Sequence, residues 1–266
     1  MSVPPIPTKG RARLAEVLRR GGDLLSVDAA SSALGVSRSV ASKLLSRWRE
    51  QGWLRHVRRG LYASVPLTSR PDEQVIEDPW TLVPAVFGPA YIGGASAAYH
   101  WDLTEQIFRS VFVFTPLPVR RARQTIQDVP FVVRHVPGLR LFGTRPLWRG
   151  RVKLQISDPA RTIIDMLNDP STGGGISHVS HCLRAYFRRK DADPALLITY
   201  AERIGNGAVF KRLGFLSERN GGPASLVADC AARLTLGIVK LDPGQPSPRI
   251  LRKWRLRAPA KLEDEA

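Results

Sequence analysis

Residues that could bind a metal occur together at one place in the sequence. His178 and His181 are three residues apart in a helical pattern, and Cys182 follows the second histidine. That spacing would put two possible zinc ligands on one helix face. No further cluster of Cys, His or carboxylate residues completes a site, so ordinary helix positions are favoured and no metal is predicted.

A glycine-rich stretch, YIGGASA at 91–97, could instead bind phosphate. A glycine loop that leads into a helix N-terminus can do so through its backbone N–H groups. The stretch lacks the Lys-Ser/Thr of a P-loop and the three-glycine spacing of a dinucleotide site. A tight strand-to-helix turn is therefore favoured, and no cofactor is predicted.

The third candidate is a set of charged residues on one helix. Asp158, Arg161 and Asp165 share a face, which is more often a capped helix with ion pairs than a catalytic group. A metal-dependent nuclease needs an acidic residue two positions before a lysine, close to another acid, to hold Mg²⁺. The corresponding strand, RVKLQIS, has Arg151 where that acid should be, so an enzyme is not predicted and a nuclease is only a third alternative.

Cations and small hydroxyl residues recur on one face of a segment that starts at Ser37. These are the side chains that contact phosphates and base edges in DNA. The predicted DNA-contacting residues of this segment are Ser37, Arg38, Ser39, Ser42, Lys43, Ser46 and Arg47.

The elements that must position this face form a helix-turn-helix with a wing. A short helix over 27–34 leads to a Gly35-Val36 turn, and Ser37 is a natural N-cap for the second helix. Ala41, Leu44, Leu45 and Trp48 recur at helical spacing and predict its buried face. After Gly52 the sequence predicts two wing strands joined at Arg58-Arg59-Gly60, with Arg55, Arg58 and Arg59 as further DNA contacts.

The net charge agrees with a polyanionic partner. The chain of 266 residues has a formal charge of +17 and a pI near 10.9. Residues 1–65 contain twelve Lys or Arg and four Asp or Glu, so about a quarter of the chain carries +8. Nucleic acid is the favoured partner, ahead of an anionic membrane surface or an acidic protein. The basic segments RRARQ at 120–124 and RRK at 188–190 are interpreted either as a solvated loop and a helix C-terminus or as further contacts to nucleic acid, and they are not counted among the predicted DNA contacts.

The remainder of the chain predicts an α+β domain. Strands are expected at 110–116, 130–136, 139–143 and 151–157, followed by a helix capped by Ser157 or Asp158. Further helices are expected near 176–190, 194–204, 206–217 and 223–236, with a closing strand pair in IVKLD and RKWRLR. The fold class is therefore α+β: an N-terminal winged helix-turn-helix domain, then a mixed domain of short strands and a helical bundle.

The predicted organisation has five parts. They are a flexible N-terminus at 1–8, the winged domain at 9–65, a linker at 66–78, the α+β domain at 79–258 and a charged tail at 259–266. No segment has the roughly 18 apolar residues of a membrane span, and none resembles a secretory signal. Two cysteines are too few for a disulfide framework, so a cytoplasmic protein with reduced thiols is expected.

Four segments of the second domain, in order, resemble the AbiEi family, the antitoxins of bacterial type IV abortive-infection operons. They are LVPAVFGPAYIGGASAAYHWDLTEQI, VKLQISDPARTIIDMLNDPSTGGG, FKRLGFLSE, and VKLDPGQP with the later WRLR. One departure is Ala160, where the family pattern has an acidic residue before the arginine. With the winged domain the resemblance covers nearly the whole chain.

The resemblance implies two activities. The winged domain would bind inverted repeats in double-stranded DNA of its own promoter and repress the operon. The second domain would counteract a co-encoded nucleotidyltransferase-like toxin, which family proteins are described as doing without a stable complex. The alternative is a winged-helix transcription regulator whose second domain senses a ligand or dimerises. A neighbouring nucleotidyltransferase-like gene would favour the antitoxin.

Overall fold

The structure is a computed structural model, and it describes residues 8–22, 24–65 and 78–260. The predicted flexible N-terminus lies outside these residues except for Thr8, and the predicted linker except for Asp78. Most of the predicted charged tail also lies outside them.

The N-terminal part is a winged helix-turn-helix domain, as predicted. Its elements are α1 (Thr8–Gly21), β1 (Leu24–Ser26), α2 (Val27–Leu34), α3 (Arg38–Glu50), β2 (Leu54–Arg58) and β3 (Leu61–Ser64). The strands form an antiparallel sheet of order β1-β3-β2. Strand β1 is too short to give a clear periodic signal, and the sequence did not predict it.

The local signals for α2 and α3 act as expected. Gly35 ends α2 in the left-handed conformation with φ of 61°, which costs glycine little. Ser37 caps α3, its hydroxyl accepting a hydrogen bond from the Val40 N–H at 3.4 Å. Ala41, Leu45 and Trp48 are buried, and Leu44 packs against the same core. The helix-turn-helix is thus held together by the apolar face that the periodicity predicted.

The second domain contains a six-stranded mixed sheet. Its strands are β4 (Tyr91–Ile92), β5 (Val111–Thr115), β6 (Arg123–Ile126), β7 (Val129–His135), β8 (Thr144–Arg149) and β9 (Val152–Ser157). The spatial order is β6-β7-β5-β4-β9-β8, in which β4 is parallel to β9 and β5 to β7. A 3-10 turn (Pro79–Thr81), α4 (Leu82–Phe87) and α5 (Gly94–His100) accompany the first strands. The tight strand-to-helix turn predicted at 91–97 is confirmed.

A helical bundle follows the sheet, again as predicted. It comprises α6 (Pro159–Asn168), α7 (Ile176–Phe187), α8 (Pro194–Ile204), α9 (Gly207–Arg219) and α10 (Ala224–Ala232). Asp158 caps α6, accepting a hydrogen bond from the Arg161 N–H, and Pro159 occupies the first turn. A small sheet of order β10-β12-β11 closes the domain, with β10 (Val239–Lys240), β11 (Arg249–Leu251) and β12 (Leu256–Ala258).

Two expectations about the strands were wrong, and a third, the closing strand pair, is confirmed only in part. The strand predicted at 139–143 is a 3-10 turn (Gly138–Arg140), and the actual strand is β8, whose start contains a proline that an edge strand tolerates. The last two residues of the loop predicted at 120–124 belong to β6. Most residues of this edge strand are at least partly exposed, so its sequence shows no apolar pattern. Of RKWRLR only the end is strand, because Arg255 takes a positive φ of 53° in a turn.

The wing sheet is buried on both faces, which the sequence did not predict. Leu54 and Tyr62 belong to the core of the winged domain. Val57, Leu61 and Ala63 instead pack with α4 and the large sheet of the second domain. The two domains therefore share one sheet as a common layer.

Candidate nucleic-acid interface

The outward face of α3 carries the cations and hydroxyls that the sequence singled out. Ser39, Lys43 and Arg47 are exposed on the side opposite the buried Ala41, Leu45 and Trp48, and Ser42 is half-buried. A helix presenting such a face has the size and chemistry to enter a major groove. The structure therefore brings these four predicted residues together on one surface.

Val40 adds an apolar contact that the sequence reasoning missed. Its side chain is 44% exposed on this helix, beside Ser39 and Lys43 in the chain. An apolar side chain can contact the methyl group of thymine, which distinguishes that base in the major groove. Helical periodicity already puts position 40 away from the buried face, so the signal was present.

Arg38 is held by an ion pair at the start of α3. Its Nη1 lies 3.0 Å from Oδ1 of Asp28 on α2, and both side chains are largely exposed. Exposed pairs of this kind are worth little, so a phosphate could replace the carboxylate. Ser37, predicted as a DNA contact, uses its hydroxyl to cap the helix.

Ser46 lies where α3 meets the wing. It is half-buried, and its hydroxyl is 3.5 Å from the hydroxyl of Tyr62 on β3. The tyrosine in turn contacts His56 edge-on, with ring centroids 5.5 Å apart. Ser46 therefore contributes to the joint between helix and wing, at the margin of the exposed face.

The three wing arginines are in different places. Residues directly opposite in an antiparallel pair share a face, and Arg55 pairs with Ala63 and Arg58 with Leu61. Both arginines are therefore on the face turned towards the second domain, and Arg58 donates a hydrogen bond to the carbonyl of Ala85 in α4 at 3.1 Å. Arg59 is exposed in the turn next to Gly60, which has φ of 76°.

His178, the first possible metal ligand, uses both ring nitrogens within the fold. Nδ1 lies 2.6 Å from the carbonyl of Gly173 and Nε2 lies 2.8 Å from the Thr104 hydroxyl. Because a carbonyl only accepts, Nδ1 carries the proton and Nε2 accepts from Thr104. Within the described residues, no group of three or more His, Cys, Asp or Glu could hold a metal ion.

The charged residues of α6 form a buried structural network. Arg161 donates to Asp165 at 2.8 Å and to the hydroxyl of Tyr91 at 2.9 Å, and Tyr91 donates to the other oxygen of Asp165. Burial raises the pKa of Tyr91 well above 10, so its hydroxyl keeps its proton as a donor. Asp158 accepts from the helix and from the hydroxyl of Tyr200. The predicted capped helix with an ion pair is confirmed, and its carboxylates are already hydrogen-bonded.

Both cysteines are free and buried. Burial raises the pKa of Cys182 and of Cys230 to about 12, so both remain thiols at neutral pH. No helix in the described part of the chain is long and apolar enough to cross a membrane.

These observations define a class of protein, in which a winged helix-turn-helix domain with an exposed basic helix face precedes a mixed α+β domain. Residues 12–65 match the family model described as a transcriptional regulator, AbiEi antitoxin. The resemblance to the AbiEi family is thus confirmed for residues 12–65, which are similar to the regulator domain of that family.

The overall fold has a counterpart among solved structures. The crystal structure of the RV2827C protein from Mycobacterium tuberculosis matches with a TM-score of 0.65, over 96% of this chain and 93% of that chain. The sequence identity is 18%, so the similarity shows a common fold. No curated protein matches the sequence.

Proposed function

We propose that this protein is a sequence-specific DNA-binding repressor of its own operon. The observation that carries the proposal is the exposed face of α3, where Ser39, Val40 and Lys43 offer a hydroxyl, an apolar group and a cation to base edges. The net charge of +8 on residues 1–65 favours a polyanion at the same domain. The match of residues 12–65 to a transcriptional regulator supports the same role.

The proposed DNA contacts form two groups, one that faces base edges and one that binds the phosphate backbone. Ser39, Ser42 and Lys43 face the major groove, while Arg38, Arg47 and Arg59 bind phosphates. Ser37 and Ser46 lie at the margins of the surface, and Arg55 and Arg58 lie on the face of the wing that packs towards the second domain. The boundary between the two domains is proposed to lie within residues 66–78.

The test is fluorescence anisotropy with the upstream promoter DNA and with scrambled DNA, across a salt series. A preference of about 10³-fold or more for the promoter is expected. Lys43→Ala is expected to reduce that preference, and Arg38→Ala or Arg47→Ala to flatten the salt slope by about one unit each.

Arg49→Ala is the matched control, since Arg49 is on the same helix and its Nη2 lies 3.5 Å from Glu50 Oε1. It is expected to leave sequence preference unchanged. Equal, steeply salt-dependent binding of the wild-type protein to both DNAs would show a general polyanion surface and overturn the repressor proposal.

We further propose that the second domain counteracts a co-encoded nucleotidyltransferase-like toxin without catalysing a reaction. The support is the AbiEi resemblance of four segments of that domain and the regulator match of the first. Co-expression of the neighbouring toxin with the Lys43→Ala variant should restore growth, because the antitoxin activity is assigned to the other domain. Cleavage of DNA that requires Mg²⁺ and stops with a chelator would contradict the non-enzymatic assignment.

A further inference from the structure

The outer face of the β8–β9 hairpin presents an exposed tryptophan. Strand β8 is the last strand of the large sheet, so within the described part of the chain one of its edges has no neighbouring strand. Trp148 on this strand is 62% exposed, an unusual position for so large an aromatic side chain. Side chains alternate along a strand, so Trp148 and Pro146 share the outer face.

One cation lies opposite this tryptophan, and another is in the adjoining turn. Lys153 is directly opposite on β9, with its ammonium nitrogen 6.0 Å from the indole centroid. Arg151 is exposed in the turn that joins the two strands. On the inner face of β8, Arg145 and Arg149 stack on the rings of Trp101 and Trp80 at 5.6 and 5.0 Å. The hairpin is therefore anchored from within and carries a cationic aromatic surface outside.

A cavity of about 590 Å³ adjoins this outer face. Lys153 and Gln155 line it from β9, and Tyr91 and Leu141 contribute its apolar wall. Gln155 pairs with Pro146, and two residues further along the strands Lys153 pairs with Trp148. Both pairs lie on the same face, so Gln155 in the cavity wall and Trp148 are separated by about 6.6 Å along the strands.

We propose that this hairpin face binds single-stranded RNA. One base stacks on Trp148, Arg151 and Lys153 bind the flanking phosphates, and the next base enters the cavity against Gln155. Stacking on an aromatic ring beside cations is how proteins hold unpaired nucleotides, and RNA exposes such bases in its loops and ends.

The charges favour this occupant over a second copy of the chain. Two β8 edges pairing with each other would bring together edges that carry the exposed Arg145 and, in the adjoining turn, Arg151, and charged edges of this kind resist strand pairing. A duplex would leave Trp148 without a base to stack on, because its bases are already stacked on each other. The site is separate from α3, and the inference does not depend on DNA binding by the winged domain.

The experiment is anisotropy of a labelled oligouridine of about 12 nucleotides, with a duplex RNA of the same length as comparison. The wild-type protein should prefer the single strand. Trp148→Ala should weaken its binding roughly tenfold, and Trp148→Phe less, since a phenyl ring still stacks. Arg151→Ala with Lys153→Ala should flatten the salt slope by about 0.7 for each cation removed.

A matched control removes two exposed arginines elsewhere, Arg249 and Arg252, and should leave the slope unchanged. The Trp148 variants should keep wild-type affinity for promoter duplex, and Lys43→Ala should keep RNA affinity, which separates this site from α3. Equal RNA binding by wild type and Trp148→Ala would overturn the proposal. A Trp148-dependent change in oligomeric state with no RNA binding would do the same, assigning the face to a second copy.

Discussion

At the scale of single residues, buried polar groups in this protein serve structure. Arg161 and Asp165 are nearly inaccessible and pair at 2.8 Å, with Tyr91 completing the hydrogen bonds. Removing one partner of such a pair leaves an uncompensated buried charge, which typically costs about 3–5 kcal/mol. The α6 carboxylates that first suggested catalysis are therefore part of the scaffold that supports the large sheet.

His178 gives a prediction about acid stability. Burial lowers the pKa of His178 below its ordinary value of 6.5, despite the opposing hydrogen bond to Gly173. The neutral ring is therefore favoured in the folded state, and its contribution to stability is full above pH 6.5 and is lost as the pH falls through the lower, folded pKa. The loss amounts to about 1.4 kcal/mol for each pH unit between the folded and unfolded values.

Urea unfolding at a series of pH values checks this prediction. The free energy of unfolding of the wild-type protein should fall more steeply with acid than that of His178→Gln. The control is His135→Gln, which removes an exposed histidine and should follow the wild type. Parallel curves for wild type and His178→Gln would refute the lowered pKa of His178 in the folded protein.

At the scale of elements, two neighbouring arginines of the wing lie in different environments. Arg58 donates to the last turn of α4, where a cation also interacts favourably with the helix dipole. Arg59, next in the chain, is exposed in the turn. The sequence Arg-Arg-Gly looks uniform, but the wing turn separates its arginines into a structural one and a candidate DNA contact.

Paired substitutions test this division. Arg58→Ala should lower the free energy of unfolding by roughly 0.5–1 kcal/mol through the lost hydrogen bond, with promoter affinity little changed. Arg59→Ala should leave stability unchanged and weaken promoter binding with a flatter salt slope. Chemical denaturation and anisotropy on the same two proteins measure both effects, and the reverse pattern would assign Arg58 to DNA.

At the scale of the whole molecule, the shared wing sheet couples the two domains. Leu54 and Tyr62 pack on the helix-turn-helix, while Val57 and Leu61 pack on the second domain. Unfolding either core exposes apolar surface of the same three strands. Stability is therefore expected to be cooperative across the chain rather than the sum of two independent units.

Hydrogen exchange in increasing urea tests the coupling. Amides of α3 and of β7 should open at the same denaturant concentration in the wild-type protein. Leu61→Asp should weaken the contact of the wing with α4. The amides of α3 and those of β7 should then open at different denaturant concentrations. Separate openings in the wild type would contradict a shared cooperative unit.

The sequence alone determined the local elements and the chemistry of the α3 face. Capping by Ser37 and Asp158, the Gly35 turn and the 3.6-residue spacing of Ala41, Leu45 and Trp48 depend on neighbours in the chain, so a local pattern predicts them. The winged domain, the α6 helix and the succeeding bundle followed from such signals. The exposed polar residues of α3, which are proposed to face DNA, follow from the same periodicity.

Only the tertiary structure decided what lies on the second face of the wing and at the edges of the sheet. Arg55 and Arg58 are predicted DNA contacts, and only the structure shows that their cross-strand partners Ala63 and Leu61 pack against another domain. Trp148 has no part in the sequence-based predictions, and only the structure shows it exposed on the last strand of the sheet. Edge strands and interdomain faces are set by long-range pairing, which leaves little trace in the spacing of residues along the chain.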